Sequence, residues 1–184
     1  MVKKIMIVRH GEKPDKDKDI RGVGADGAHD RNELSPQGWQ RAGALIRFFN
    51  PIRGEFSNPN LAKPDAVFAA GPSGHAQSLR SKNTVQSVAD SLHVRLSLKY
   101  TKGDEAKLVE EVLRLDGVVL IAWEHHAILD IANLILRNEN ASPQDWPDSR
   151  FDLVWIFDSR PHPAAFQFTQ VPQLLLPHDN PHVI

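Results

Sequence analysis

The chain has 184 residues, 41% hydrophobic and 24% charged, a composition that specifies one globular domain over residues 1–184 and excludes a disordered or fibrous chain. A formal net charge of -1 offers no bulk attraction to nucleic acid or an anionic membrane, so phosphate binding would have to come from local charge. The absence of cysteine excludes thiol nucleophiles, disulfides and cysteine-ligated zinc; no run is long enough for a signal-peptide core or a membrane span, and a cytoplasmic protein is expected.

Ile5-Met6-Ile7-Val8 is a short apolar run ending in Arg9-His10-Gly11, the pattern of a strand buried on both faces that delivers polar groups at its C-terminal end. Residues 15–33 are charged and Gly-rich without periodicity, which predicts a long surface loop with a functional or mobile character. A helix follows, with Ser35 as N-cap, Pro36 at its first position, and Trp39, Ala42, Ile46 and Phe49 at helical spacing up to Asn50-Pro51. Residues 66–70 read as a second buried strand, broken by Gly71-Pro72-Ser73-Gly74. Val85, Val88, Ala89 and Leu92 predict a second helix with Arg80 and Thr84 in or just before its first turn, and residues 94–98 a short strand.

A third helix is expected over residues 104–115, with Gly117 just beyond it. Residues 118–123 are the most strand-like run of the chain and end at Glu124-His125-His126; residues 128–136 follow as a helix. Two apolar runs, 151–157 and 165–171, flank a proline-containing turn and predict an antiparallel pair. Alternating strands and helices closed by a β pair argue for an α/β fold: a three-layer αβα domain, its mostly parallel sheet carrying an antiparallel C-terminal edge.

In a parallel sheet the C-terminal ends of the strands share one edge, so His10 and His125 are expected to face each other, with Arg9 beside the first and Arg80 where a second strand hands over to its helix. Guanidinium forks match phosphate oxygens in a bidentate manner, and two of them depress the pKa of a nearby imidazole. A neutral imidazole is a competent nucleophile.

Arg9-His10-Gly11-Glu12 resembles the signature of the histidine phosphatase superfamily, which includes the phosphoglycerate mutases. Leu34-Ser35-Pro36-Gln37-Gly38 with Gln40-Arg41-Ala42 is similar to the segment that opens that family's first helix. The stretch from Ser78 to Thr84 resembles the start of its second, and Glu124-His125 stands where the family has its second histidine. The resemblance runs in order from residue 3 to about 136. It implies a phosphoglycerate-mutase-like fold, phosphatase activity without metal or organic cofactor, His10 as nucleophile, and Arg9, Arg80 and His125 as phosphate ligands. The implied partner is a small phosphorylated substrate or a phosphoprotein. A mutase-type phosphotransferase and a catalytically weak phosphate-binding module are the alternatives.

The chain also departs from that pattern. Lys16 stands at a frequent asparagine and His126 at a frequent glycine, and Leu98-Lys99-Tyr100 lacks the acid common in that neighbourhood. Glu105 is the expected proton donor, in the opening turn of the third helix, with Asp104, Glu124 and His126 as competitors. Strand alternation is expected to turn Glu124 away from His125, and His125 and His126 to diverge, which speaks against zinc. His75 is expected at the rim of the pocket; His29, His93, His162, His178 and His182 read as surface residues.

Overall fold

The computed structural model describes residues 2–74, 77–160 and 165–184. His75, His162 and the centre of the turn before the last strand lie outside the described residues. The elements run β1 (Val2–Arg9), α1 (Pro36–Phe49), β2 (Ala66–Ala69), α2 (Arg80–Leu92), β3 (Leu96–Ser97), α3 (Glu105–Arg114), β4 (Gly117–Trp123), α4 (His125–Leu136), β5 (Leu153–Arg160) and β6 (Ala165–Pro172).

They build one six-stranded sheet in the order β3-β2-β4-β1-β5-β6. Strands β3, β2, β4 and β1 are parallel, β5 is antiparallel to β1, and β6 is antiparallel to β5. The central strand β1 shows why its run is apolar throughout: Ile5 and Ile7 face α3 and α4, whereas Met6 and Val8 face α1 and α2. The sheet is thus covered on both sides, as the three-layer expectation requires. No helix among the described residues is long and apolar enough to cross a membrane.

Local chemistry sets the helix starts. The Ser35 hydroxyl accepts from the Gly38 amide at 3.2 Å, and Pro36 occupies the first turn. Helix α4 begins at His125 rather than at residue 128, because the Glu124 side chain caps it by accepting from the amides of His126 and Ala127. Residues 15–33 form a loop with internal order: Asp15 bridges Ile20, Val23 bridges His29, and the Trp39 indole donates to the Val23 carbonyl at 2.7 Å.

The two glycines of the motifs meet here. A Cβ at Gly38 would come within 2.5 Å of the Glu12 carbonyl oxygen, and one at Gly11 within 3.0 Å of the Gly38 oxygen. The Ser35 amide donates to that same Glu12 carbonyl at 2.9 Å. The segment after β1 is therefore pressed directly onto the start of α1, with backbone where side chains would otherwise stand.

Candidate active site

The C-terminal edge of the parallel strands gathers the residues singled out above. Arg9 pairs with Trp123 across β1 and β4, and the ladder extends one step further through the His10 amide, which donates to the Trp123 carbonyl at 3.0 Å. Arg9, His10 and His125 are all buried. Arg80 is the first residue of α2.

His10 Nδ1 lies 2.8 Å from the Gly11 carbonyl oxygen. A carbonyl can only accept, so Nδ1 carries the hydrogen and Nε2 keeps its lone pair. Burial first, then the charges of Arg9, Arg80 and His125, push the His10 pKa down to about 3. The imidazole is neutral at physiological pH. Its loop is tied to α2 through Thr84, whose hydroxyl accepts from the Gly11 amide at 2.7 Å and donates to the Arg80 carbonyl at 2.7 Å.

The guanidinium of Arg9 is divided between two tasks. Its Nη1 donates to the carbonyls of Pro147, Asp148 and Arg150 at 3.2, 2.8 and 2.8 Å, and the group lies over the Phe151 ring with its Cζ 3.9 Å from the ring centre. Its Nε and Nη2 are buried without a hydrogen-bond partner among the described residues, as is Nε of Arg80. Burial lowers the Arg9 pKa to about 10 and also lowers that of Arg80; Arg9 remains a cation. His125 adds two buried ring nitrogens: Nδ1 lies 2.8 Å from Glu124 Oε1 and Nε2 lies 2.7 Å from Asp148 Oδ1, neither aligned as a hydrogen bond. Burial, then Arg9, lowers the His125 pKa. Orphaned cationic donors beside a neutral imidazole make a cradle for a tetrahedral oxyanion.

The other residues marked in the sequence are placed differently. Glu105 is not brought to the cradle: its carboxylate accepts from the Trp123 indole at 2.9 Å and from the Gly103 amide at 3.0 Å. Asp104 is occupied by Thr101 and Lys107. Glu124 does not turn away from His125, because it is a helix cap rather than a strand residue. Burial favours its neutral form, but the His126 amide and Lys102 outweigh that and hold its pKa below the usual carboxylate range. Nor do the neighbouring histidines diverge: their ring centres are 3.9 Å apart, and ligand-type atoms of Glu124, His125 and His126 fall within 4.8 Å of one another. Glu124 also pairs with Lys102 and caps α4.

Two further roles carry no signal in the sequence: that of Arg41, which stands there only within the motif that opens α1, and that of Asp148. Arg41, 2% exposed, donates to Glu12 and Asp179, each at 2.7 Å at closest, and to Gln173 at 2.9 Å, locking the segment after His10 to the C-terminal region. Burial alone would lower the Arg41 pKa, yet these carboxylates raise it. The second is Asp148, which also lies 3.8 Å from Arg9 Nη2 and 3.9 Å from Lys13 Nζ. A cavity of about 810 Å³ adjoins the cradle, walled by Glu12, Lys13, Asp148, Arg150 and Phe151; the Phe151 ring centre lies 6.0 Å from that of His10.

No family model and no curated protein matches the sequence. Solved structures do. A mycobacterial glucosyl-3-phosphoglycerate phosphatase superimposes with a TM-score of 0.53 at 12% identity, over 92% of this chain and 97% of that one. A phosphoserine phosphatase variant from Entamoeba histolytica, in complex with phosphoserine, gives 0.53 at 15% identity over 92% and 95%. A candidate phosphohistidine phosphatase from Agrobacterium tumefaciens gives 0.52 at 13% over 92% and 98%. The chain has the phosphoglycerate-mutase-like fold of these proteins.

Proposed function

We propose that the chain is a phosphatase of the histidine phosphatase type, cleaving a phosphomonoester or a phosphohistidine through a covalent phosphohistidine on His10. The observation that carries this reading is the set of buried guanidinium N–H groups of Arg9 and Arg80 without a hydrogen-bond partner among the described residues, with buried His125, around a neutral imidazole whose Nε2 lone pair is free. Nε2 attacks phosphorus as the bond to the leaving atom breaks; water then attacks phosphorus as the phosphorus–nitrogen bond breaks. Arg9, Arg80 and His125 stabilise the charge on the equatorial oxygens in both transfers, where positioning and electrostatics dominate the rate.

Two structural neighbours of the same fold named as phosphatases, and a third named as a candidate one, support the reaction class. The roomy cavity beside the cradle favours hydrolysis over mutase chemistry, which must shield a phosphoenzyme from water. The test is to incubate wild type and His10→Ala with a radiolabelled phosphate ester and quench in base. Acid-labile, base-stable label on wild type alone is the expected result; equal labelling of both proteins would refute the mechanism.

A further inference from the structure

Cleaving an alkyl ester needs a proton on the departing oxygen, and Glu105 is in no position to give it. The carboxylates around the site divide cleanly. Glu12 is held by Arg41, Glu33 by Asn83, Glu105 by Trp123 and Gly103, and Glu124 by the amides of α4 and Lys102. Asp148 differs. Among the described residues its carboxylate contacts only cationic or titratable groups: His125 at 2.7 Å, Arg9 at 3.8 Å and Lys13 at 3.9 Å.

Position adds a second argument. Asp148 touches the cradle and also walls the adjoining cavity, so its carboxylate stands on the boundary that the bond between phosphorus and leaving group must cross. Its carboxylate is exposed, at 74%, but its backbone is pinned, because the Asp148 carbonyl and those of Pro147 and Arg150 all accept from Arg9 Nη1. The anchor below is firm too: Trp146 is 1% exposed and its indole donates to the Arg150 carbonyl at 2.9 Å. A mobile carboxylate on a fixed backbone can yield the cradle to a phosphoryl group and still reach the leaving oxygen.

We propose that Asp148 is the acid and base of the two phosphoryl transfers, an assignment that rests on the reaction proposed above. The proton arrives with the ester, bound as its monoanion, and passes to Asp148. Asp148 returns it to the leaving oxygen as the phosphorus–oxygen bond breaks and the bond from His10 Nε2 to phosphorus forms. The carboxylate then takes a proton from water while the water oxygen bonds to phosphorus and the phosphorus–nitrogen bond breaks. In the free protein Lys13, from the segment after β1, and then His125, from α4, hold the Asp148 pKa below its usual range, with Arg9 of β1 adding to the effect. A dianionic phosphoryl group on Arg9, beside Asp148, offsets the positive charge there and reverses the balance.

The test compares wild type, Asp148→Asn and Asp148→Glu on glycerol phosphate and on p-nitrophenyl phosphate, whose leaving group needs little protonation. Asp148→Asn is expected to lose about a hundredfold in kcat/KM on glycerol phosphate, with the aryl ester changed less than about threefold, and Asp148→Glu to recover much of the alkyl activity. Equal losses on both esters, or none on either, would overturn the assignment. So would tighter inhibition by inorganic phosphate with full alkyl turnover, which would make Asp148 a mere competitor for the cradle. Wild type inert on both esters would instead refute the phosphatase reading, and the acid with it.

Discussion

The Gly11 amide donates to the Thr84 hydroxyl at 2.7 Å, on the residue whose carbonyl receives His10 Nδ1 at 2.8 Å. Helix α2 thereby orients the His10 imidazole through a single glycine residue. Thr84→Val keeps the shape and removes the acceptor, leaving a buried amide unpaired at a cost of about 1–3 kcal/mol. Turnover is expected to fall about tenfold or more, with Thr84→Ser restoring it. Chemical denaturation beside steady-state kinetics checks both, and a valine variant with wild-type kcat would show that the peptide needs no such anchor.

Arg80 contributes a buried Nε to the cradle. Arg80→Lys preserves charge but loses the planar fork, and Arg80→Ala loses both. Removing one charge-assisted contact to the developing phosphoryl charge is worth about 3 kcal/mol, on the order of a hundredfold in kcat, so alanine should cost more than lysine and lysine more than nothing. A loss under threefold for alanine would place Arg80 outside the reacting site.

The depressed pKa of His10 makes stability depend on pH. Unfolded, the imidazole binds a proton below its ordinary value of 6.5; folded, it does so only below about 3. The unfolded chain thus holds more protons in between, so the stabilising contribution is complete above 6.5 and declines as pH falls toward 3. His10 alone should remove about 2 kcal/mol of unfolding free energy between pH 7 and pH 5, and His125, shifted the same way, adds to it. Urea titrations of wild type and His10→Asn at both pH values measure this; an unchanged difference in the variant would mean that His10 titrates normally.

Arg41 joins α1, the Glu12 segment and Asp179 in one buried network. Arg41→Met leaves two acids without their cation, and the expected loss is about 3–5 kcal/mol. Because Glu12 follows His10, the proposed nucleophile, by two residues, activity measured below the melting transition should fall as well. A variant as stable as wild type would show that the carboxylates find other partners.

Much of this was legible in the sequence because it depends on local pattern. The apolar runs behind Arg9 and Glu124, the cap at Ser35 and the closing β pair each announce their element through spacing alone. His10, Arg9, Arg80 and His125 could be foreseen together because parallel topology brings strand ends to one edge. The start of α4 was misread because Glu124-His125-His126 looks like a strand end until the carboxylate is seen capping the helix. Asp148 was invisible for a different reason. Residues 137–152 have no periodicity, and Arg9, about 140 positions away in the chain, holds residues 147, 148 and 150 at the site.

Arg9 grips residues 147, 148 and 150 by their main-chain oxygens, which every amino acid supplies. The grip on Arg9 therefore does not depend on which side chains positions 147, 148 and 150 carry. Ser149 and Arg150 wall the adjoining cavity beside Asp148, so changes at these two positions are expected to retune selectivity while sparing the proposed acid. Combinatorial libraries confined to positions 149 and 150 therefore offer the shortest route to altering the proposed ester selectivity.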